Sequence, residues 1–416
     1  MRDTEKDFFR DDELVSDPYP YLAALRNKCP VRREPHHDVV IVTGYDEALA
    51  VLGDATTFSS CMSVTGPFPG FPVPLEGDDV SELIASHRDA IPMSDQIITL
   101  DPPTHTDHRA LLMGLITPKR LKENEAFMWE LTDRVLDSFL TGGRGEFAAP
   151  FSLLVIADLL GVPEEDRDEF AAVLGRSDAG VGSTGDDTLR HGPLEYLYER
   201  FSRYIEDRRR EPREDVLTGL ATATFPDGST PEVIDVVRVA TNVFSAGQET
   251  TVRLLGSALK ILAERPDIQQ LLRRERDRVP NFIEETLRIE SPVKGDFRLS
   301  RVASAVGGVD IPAGTTLMVL NGAATGTQIS STSPTRSTQC VQTRGVTSHL
   351  AEAFTRAPGA PLARGEARVT LERLLDRTTD IRIAEDKHGH AEDRHYRYVP
   401  TFILRGLTEL HLEFTL

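Results

Sequence analysis

At 416 residues, with 39% hydrophobic and 27% charged side chains, the chain has an ordinary globular balance and is long enough to bury a substantial core. Its 47 basic and 66 acidic residues leave a net charge of −19, which argues against nucleic acid as a partner, since phosphate binding needs a basic face. Three scattered cysteines (Cys29, Cys61 and Cys340) make no CxxC pair, and the charged N-terminus offers neither a secretory nor a spanning segment, so a soluble, cytoplasmic protein with no membrane association is expected.

In chain order, "DPYPYLAALRNKCP" follows a Pro-rich turn and reads as an amphipathic helix. "DVVIVTG", Asp38 to Gly44, is a β-branched run and reads as a strand. "YDEALAVLG" is a short helix stopped at Gly53, and Met62 to Pro74 is a Pro/Gly-rich loop. From about Asp101 to Arg288 helical spacing dominates, as in "RLKENEAFMWELTDRVLDSFL" and "YLYERFSRYIEDRRREP". The longest candidate helix runs from Pro231 to Glu264, with Ser229 or Thr230 as cap, Pro231 in the first turn and Pro266 beyond its end. At about 1.5 Å per residue it spans roughly 50 Å and should cross the middle of a large fold. After Arg288 the pattern turns to hairpins, and "YRYVPTFILRGLTELHLEFTL" closes the chain as strands. No repeat or linker stands out. One domain over residues 1–416, mainly α with a small β portion (α+β), fits best.

Four constellations carry chemistry, and each has an ordinary reading beside it. "AGQETT", Ala246 to Thr251, puts a glycine in mid-helix, where it costs about 1 kcal/mol. That is a packing kink, or room for a ligand with an acid, Glu249, beside a hydroxyl, Thr250, to relay protons. Glu285 and Arg288 at i, i+3 are a surface ion pair or a structural one. In "DPPTHTDHRALL", His105 and Arg109 share a helix face, which is either solvated or suited to a carboxylate or phosphate ligand. Arg298 in "SPVKGDFRLSR" follows in an extended segment, and "PGAPLAR" begins a helix at Pro358.

Each motif is weak alone, but their order and spacing resemble the cytochrome P-450 family, the haem-thiolate monooxygenases, in its soluble bacterial form. The resemblance covers essentially the whole chain. It implies that fold, with the long central helix lying over a haem (haem b, iron protoporphyrin IX). It implies that Glu249 and Thr250 carry protons to the reacting oxygen and that Ala246 and Gly247 form the groove above the ring. His105, Arg109 and Arg298 would hold the haem propionates, while Glu285 and Arg288 would form the buried structural pair.

One position departs from the family. The residue immediately before "PG" should be the cysteine that ligates iron, and here it is Ala357. Alanine cannot ligate a metal, and the thiolate is what favours O–O cleavage; no metal ligand is therefore assigned. The surrounding stretch, Thr325 to Arg356, is equally unlike the family's acid- and Arg-rich meander: 13 of its 32 residues are Ser or Thr, and Glu352 is its one acid. Read one base out of register with ordinary codons, it becomes acid-rich and ends in Gly-Gly-Ser-Ile-His-Thr-Cys, followed in frame by "PGAPLAR". A compensated pair of frame errors, near Ala324 and Ala357, accounts for both anomalies. Cys340 stands 17 residues before Ala357 with no helix start after it, and neither it nor Cys29 or Cys61 has the setting of a ligand.

The expected function is insertion of one oxygen atom of O₂ into a small apolar molecule by a monomer. Its electrons would come from a ferredoxin and its ferredoxin reductase, because no reductase domain is fused. The rival, if the chain is as written, is a haem-deficient relative that binds small molecules. A hydrolase lacks its GxSxG elbow.

Overall fold

The computed structural model describes residues 6–142, 148–174, 192–321 and 357–416. Near its N-terminus α1 (Asp12–Ser16) and α2 (Tyr19–Lys28) lead to strands β1 (Val31–Arg33) and β2 (Val40–Val42), then α3 (Tyr45–Gly53) and β3 (Phe58–Ser59). These follow the apolar spacing of the sequence, including the stop at Gly53. Next come α4 (Ser81–His87), α5 (Thr104–Leu115), α6 (Pro118–Gly142), α7 (Ala148–Leu160) and α8 (Arg167–Leu174). Helices α9 (Gly192–Arg210) and α10 (Val216–Ala221) precede the long α11 (Val233–Glu264).

Helix α11 starts two residues later than the sequence suggests. The first turn is closed by a capping box in which Glu232 and Asp235 satisfy each other's backbone N–H groups, while the Ser229 hydroxyl and N–H are spent on Asp227 in the preceding turn. Its end is as expected: Arg265 caps it and Pro266 opens α12 (Pro266–Arg274). The helix packs against α5, α7, α9 and α14 (Ala360–Arg377), and it buries Val236, Val237, Phe244, Leu254, Leu255 and Leu262 in the largest apolar core.

After α13 (Val279–Ile289) the chain forms β4 (Gly295–Ser300), β5 (Ser304–Val306), β6 (Val309–Ile311) and β7 (Thr316–Leu320). One sheet has the order β1-β2-β7-β4-β3, with β2 and β7 parallel and the other pairs antiparallel; Arg298 sits opposite Leu317. Strands β5 and β6 make a hairpin whose turn is Gly307-Gly308, both at positive φ, as a two-residue turn of matching twist requires. A second apolar cluster, with Phe9, Phe297 and Phe402, packs on this sheet.

The C-terminal stretch is less regular than its spacing suggests. Beyond α15 (Glu385–His388), only β9 (Leu412–Thr415) is a strand among the described residues, paired with β8 (Asp380–Ile383). Residues 397–408 are instead held by the isolated bridges Val293–Leu404 and Tyr398–Leu407 and by Arg405. That guanidinium binds the Glu290 carboxylate at 2.6 Å and the Val15 carbonyl at 3.0 Å.

Candidate functional site

Helix α11 is buried on both sides of a short window. Residues 239–244 and 253–255 are buried, whereas every residue from Ser245 to Thr250 is at least partly exposed, Ala246 the most. A helix in the centre of a fold exposes its middle only where a cleft reaches it. Inside the window the Thr250 hydroxyl donates to the Ala246 carbonyl at 2.8 Å, the i−4 bond that Thr makes inside a helix.

The two small residues divide their work. A Cβ at Gly247 would lie 3.0 Å from Ile156 Cδ1, so this glycine faces α7 and its missing side chain permits that helix contact. Ala246 is the one of the pair that lines the cleft. Glu249 is likewise not a free acid: its carboxylate is ion-paired with Arg253 one turn on, and that guanidinium is 6% exposed and wedged against Gly406. The i, i+4 spacing of Glu249 and Arg253 was the signal in the sequence that would have found this pair.

The cations come from two elements. Helix α5 begins at Thr104, immediately after the Pro102-Pro103 pair, and carries His105 and Arg109; β4 carries Arg298. They converge. The half-buried His105 imidazole is held below its usual pKa, first by burial and then by the charges of Arg109 and Arg298, with Asp101 acting the other way. Asp101 is committed elsewhere, to the Ser60 N–H at 2.8 Å and to Arg301 at 2.6 Å. Arg298 is oriented by the Ser63 hydroxyl at 3.1 Å and its neighbour's carbonyl at 2.6 Å. The result is a set of cation-capable groups from two elements, of the kind that suits a ligand with carboxylates.

Glu285 and Arg288 form the ion pair their spacing suggests, with Arg288 Nε 2.9 Å from the Glu285 carboxylate and Glu285 only 6% exposed. It is a buried structural pair, not a surface one. Pro358 and Gly359 lead into α14; Ala357 is exposed, and its carbonyl accepts the Ala360 N–H at 3.0 Å. Its methyl offers nothing to a metal. No group of His, Cys, Asp and Glu among the described residues has metal-holding geometry, and none of their helices is long and apolar enough to cross a membrane. Cys340 and the anomalous stretch 325–356 lie outside the described residues. Cys29 donates to the Val31 carbonyl at 2.9 Å, and burial pushes the Cys61 thiol up; both are structural.

Tested against a haem, the site fits in one part and not in the other. The cations match a ring bearing carboxylates, with an open helix window beside them, and position 357 does not supply the iron's ligand. Among the buried ionisable groups that escaped the sequence reading are Lys294, ahead of β4, and Glu366, on the buried stripe of α14 with Leu362 and Thr370. An acid at i+4 from one stripe residue and i−4 from another is a visible signal; the burial of Lys294 is not.

A family model described as cytochrome P-450 matches residues 193–325. The chain is 31% identical to cytochrome P-450 144 of Mycobacterium tuberculosis, over 96% of this chain and 89% of that protein. It is 32% identical to the 6-deoxyerythronolide B hydroxylase of Saccharopolyspora erythraea, over 96% of each. The solved structure of Mycobacterium marinum cytochrome P-450 CYP150A6 in the substrate-free form is 52% identical, with a TM-score of 0.87 and 99% of each chain covered.

Proposed function

The chain belongs to the cytochrome P-450 family of haem monooxygenases, and on that footing we propose that it inserts one oxygen atom of O₂ into a small apolar organic molecule. The second oxygen atom leaves as water, with two electrons supplied by a ferredoxin and its reductase and two protons drawn through the protein. The protein acts as a single-domain cytoplasmic monomer, with haem b as its cofactor. When bound, the haem supplies the oxygen activation that no side chain can.

The observation that carries this reading is the convergence of His105, Arg109 and Arg298 from α5 and β4. Those three groups would hold the haem carboxylates. Ala246 leaves the cleft open for substrate, and the Thr250 hydroxyl, tied to the Ala246 carbonyl, presents its lone pairs to a proton carrier. Glu249 is kept in place beside it by Arg253. Ala357 stands where the iron's ligand belongs, and the Ser/Thr-rich, acid-poor make-up of residues 325–356 supports a compensated pair of frame errors, with cysteine at 357 in the active polypeptide.

Two measurements test this. Resequencing the DNA across codons 320–360 checks the frame, and a clean read matching the sequence as it stands refutes a sequencing error. The frame-restored chain should give a carbon monoxide difference band at the position of a thiolate haem. A folded, frame-restored chain without that band would sink the assignment.

A further inference from the structure

Lys294 is 8% exposed, and among the described residues no carboxylate lies within ion-pair distance of its ammonium. The backbone cannot move it into solvent. Its N–H donates to the Ile403 carbonyl at 2.6 Å, and its carbonyl accepts the Asn321 N–H at 2.9 Å, so both sides of the residue are bolted to neighbouring segments.

The groups facing it are cations. Burial, and then the guanidinium groups of Arg405 and Arg253, push the Lys294 ammonium down to about 7. Each guanidinium already has its own carboxylate: Arg405 holds Glu290 at 2.6 Å, and Arg253 holds Glu249. On the strand that carries Lys294, Asp296 accepts from Asn321 Nδ2 at 3.0 Å. Arg253 contributes a second unmet donor, because its Nε is buried with no hydrogen-bond partner. Of these three cations, Lys294 is the one with no carboxylate of its own among the described residues, and Arg253 Nε is a buried donor without an acceptor.

A buried cation without a partner is strongly unfavourable, and one anion placed between such donors makes charge-assisted hydrogen bonds to both. Arg253 lies about one turn beyond Thr250 on the same helix face, just past the exposed window of Ser245 to Thr250. We propose that Lys294, with Arg253 Nε, is the anchor for a carboxylate at the closed end of the cleft, and that the substrate is an apolar molecule carrying one carboxylate. This rests on reading the α11 window as the substrate cleft.

The test is calorimetric titration of the purified full chain with octanoate and with 1-octanol at pH 6.5. Octanoate is expected to bind at least tenfold more tightly. Lys294→Met should bring the two within threefold, and Lys294→Arg should keep the preference. Octanoate and 1-octanol binding equally to the parent, or a preference that survives in Lys294→Met, overturns the anchor while leaving the cleft intact. If neither compound binds, the cleft reading falls and the anchor with it. Thermal unfolding of the ligand-free variants guards against misreading: a Lys294→Met chain that unfolds at a lower temperature than the parent would reveal a counter-ion within the chain and overturn the proposal.

Discussion

Glu366 gives the sharpest test of the packing described here. Its carboxyl is wholly buried on α14, and neither oxygen has a hydrogen-bond partner. The Ser152 hydroxyl across the α7 interface is the one group that favours ionisation, and it is itself outside normal bonding geometry; Thr370 Oγ1, one turn along, is also unpartnered. Burial therefore raises the Glu366 pKa well above that of an ordinary carboxyl. The folded state then holds a proton that the unfolded chain has lost, so stability falls as pH rises. The contribution is complete below the unfolded value of about 4.3, and it decays by about 1.4 kcal/mol per pH unit until the folded value is reached.

Glu366→Gln keeps the shape and removes the titration. In urea unfolding at pH 5, 6, 7 and 8, the variant should gain on the parent as pH rises, by at most about 1.4 kcal/mol per unit and levelling off where the folded carboxyl ionises, with the same slope against denaturant. A gap that does not change with pH, or one that closes as pH rises, would mean that Glu366 is ionised and paired inside the fold. The account of the α7–α14 interface as dry and under-satisfied would then be wrong.

Three further outcomes follow from other parts of the fold. Glu285→Ala removes the buried carboxylate that pairs with Arg288 and should cost about 2–3 kcal/mol in chemical unfolding, more than the ~1 kcal/mol or less of a surface pair. Gly247→Ala should be close to neutral, since a helix-propensity gain of about 1 kcal/mol is offset by the push on Ile156; in an Ile156→Ala background the gain should reappear in the melting temperature. For Lys294 the folded value is lowered, so parent stability should rise with pH above about 7. Ligand-free Lys294→Met should accordingly be the more stable chain at pH 6 and lose that advantage toward pH 10, the opposite trend to that of Glu366→Gln.

Much of the site was legible before any coordinates. Period-3.6 apolar spacing located α2, α6, α9 and α11, and Pro266 marked the end of the long helix, because helix propensity and capping act over a few residues. The cation set was legible only in halves. His105 and Arg109 share a face by spacing, but nothing local brings Arg298 to them; the β4–β7 pairing and the packing of α5 on α11 do. The start of α11 was misplaced by two residues because Ser229 bonds within its own turn and Glu232 caps instead. The C-terminal strands were over-read because the pairing in 397–408 stops at the isolated bridge Tyr398–Leu407 and its flanking backbone bonds, too short for a regular strand.

By itself, then, the sequence determined the helical scaffold, the order of its motifs, and the identity of the residue at 357, all of which are properties of neighbours along the chain. Tertiary structure alone decided that Gly247 serves α7, that Glu249 is bound by a buried arginine, and that Lys294 and Glu366 are sealed from water. Their partners and their dielectric surroundings come from segments far away in sequence, and burial is a property of the whole packed molecule.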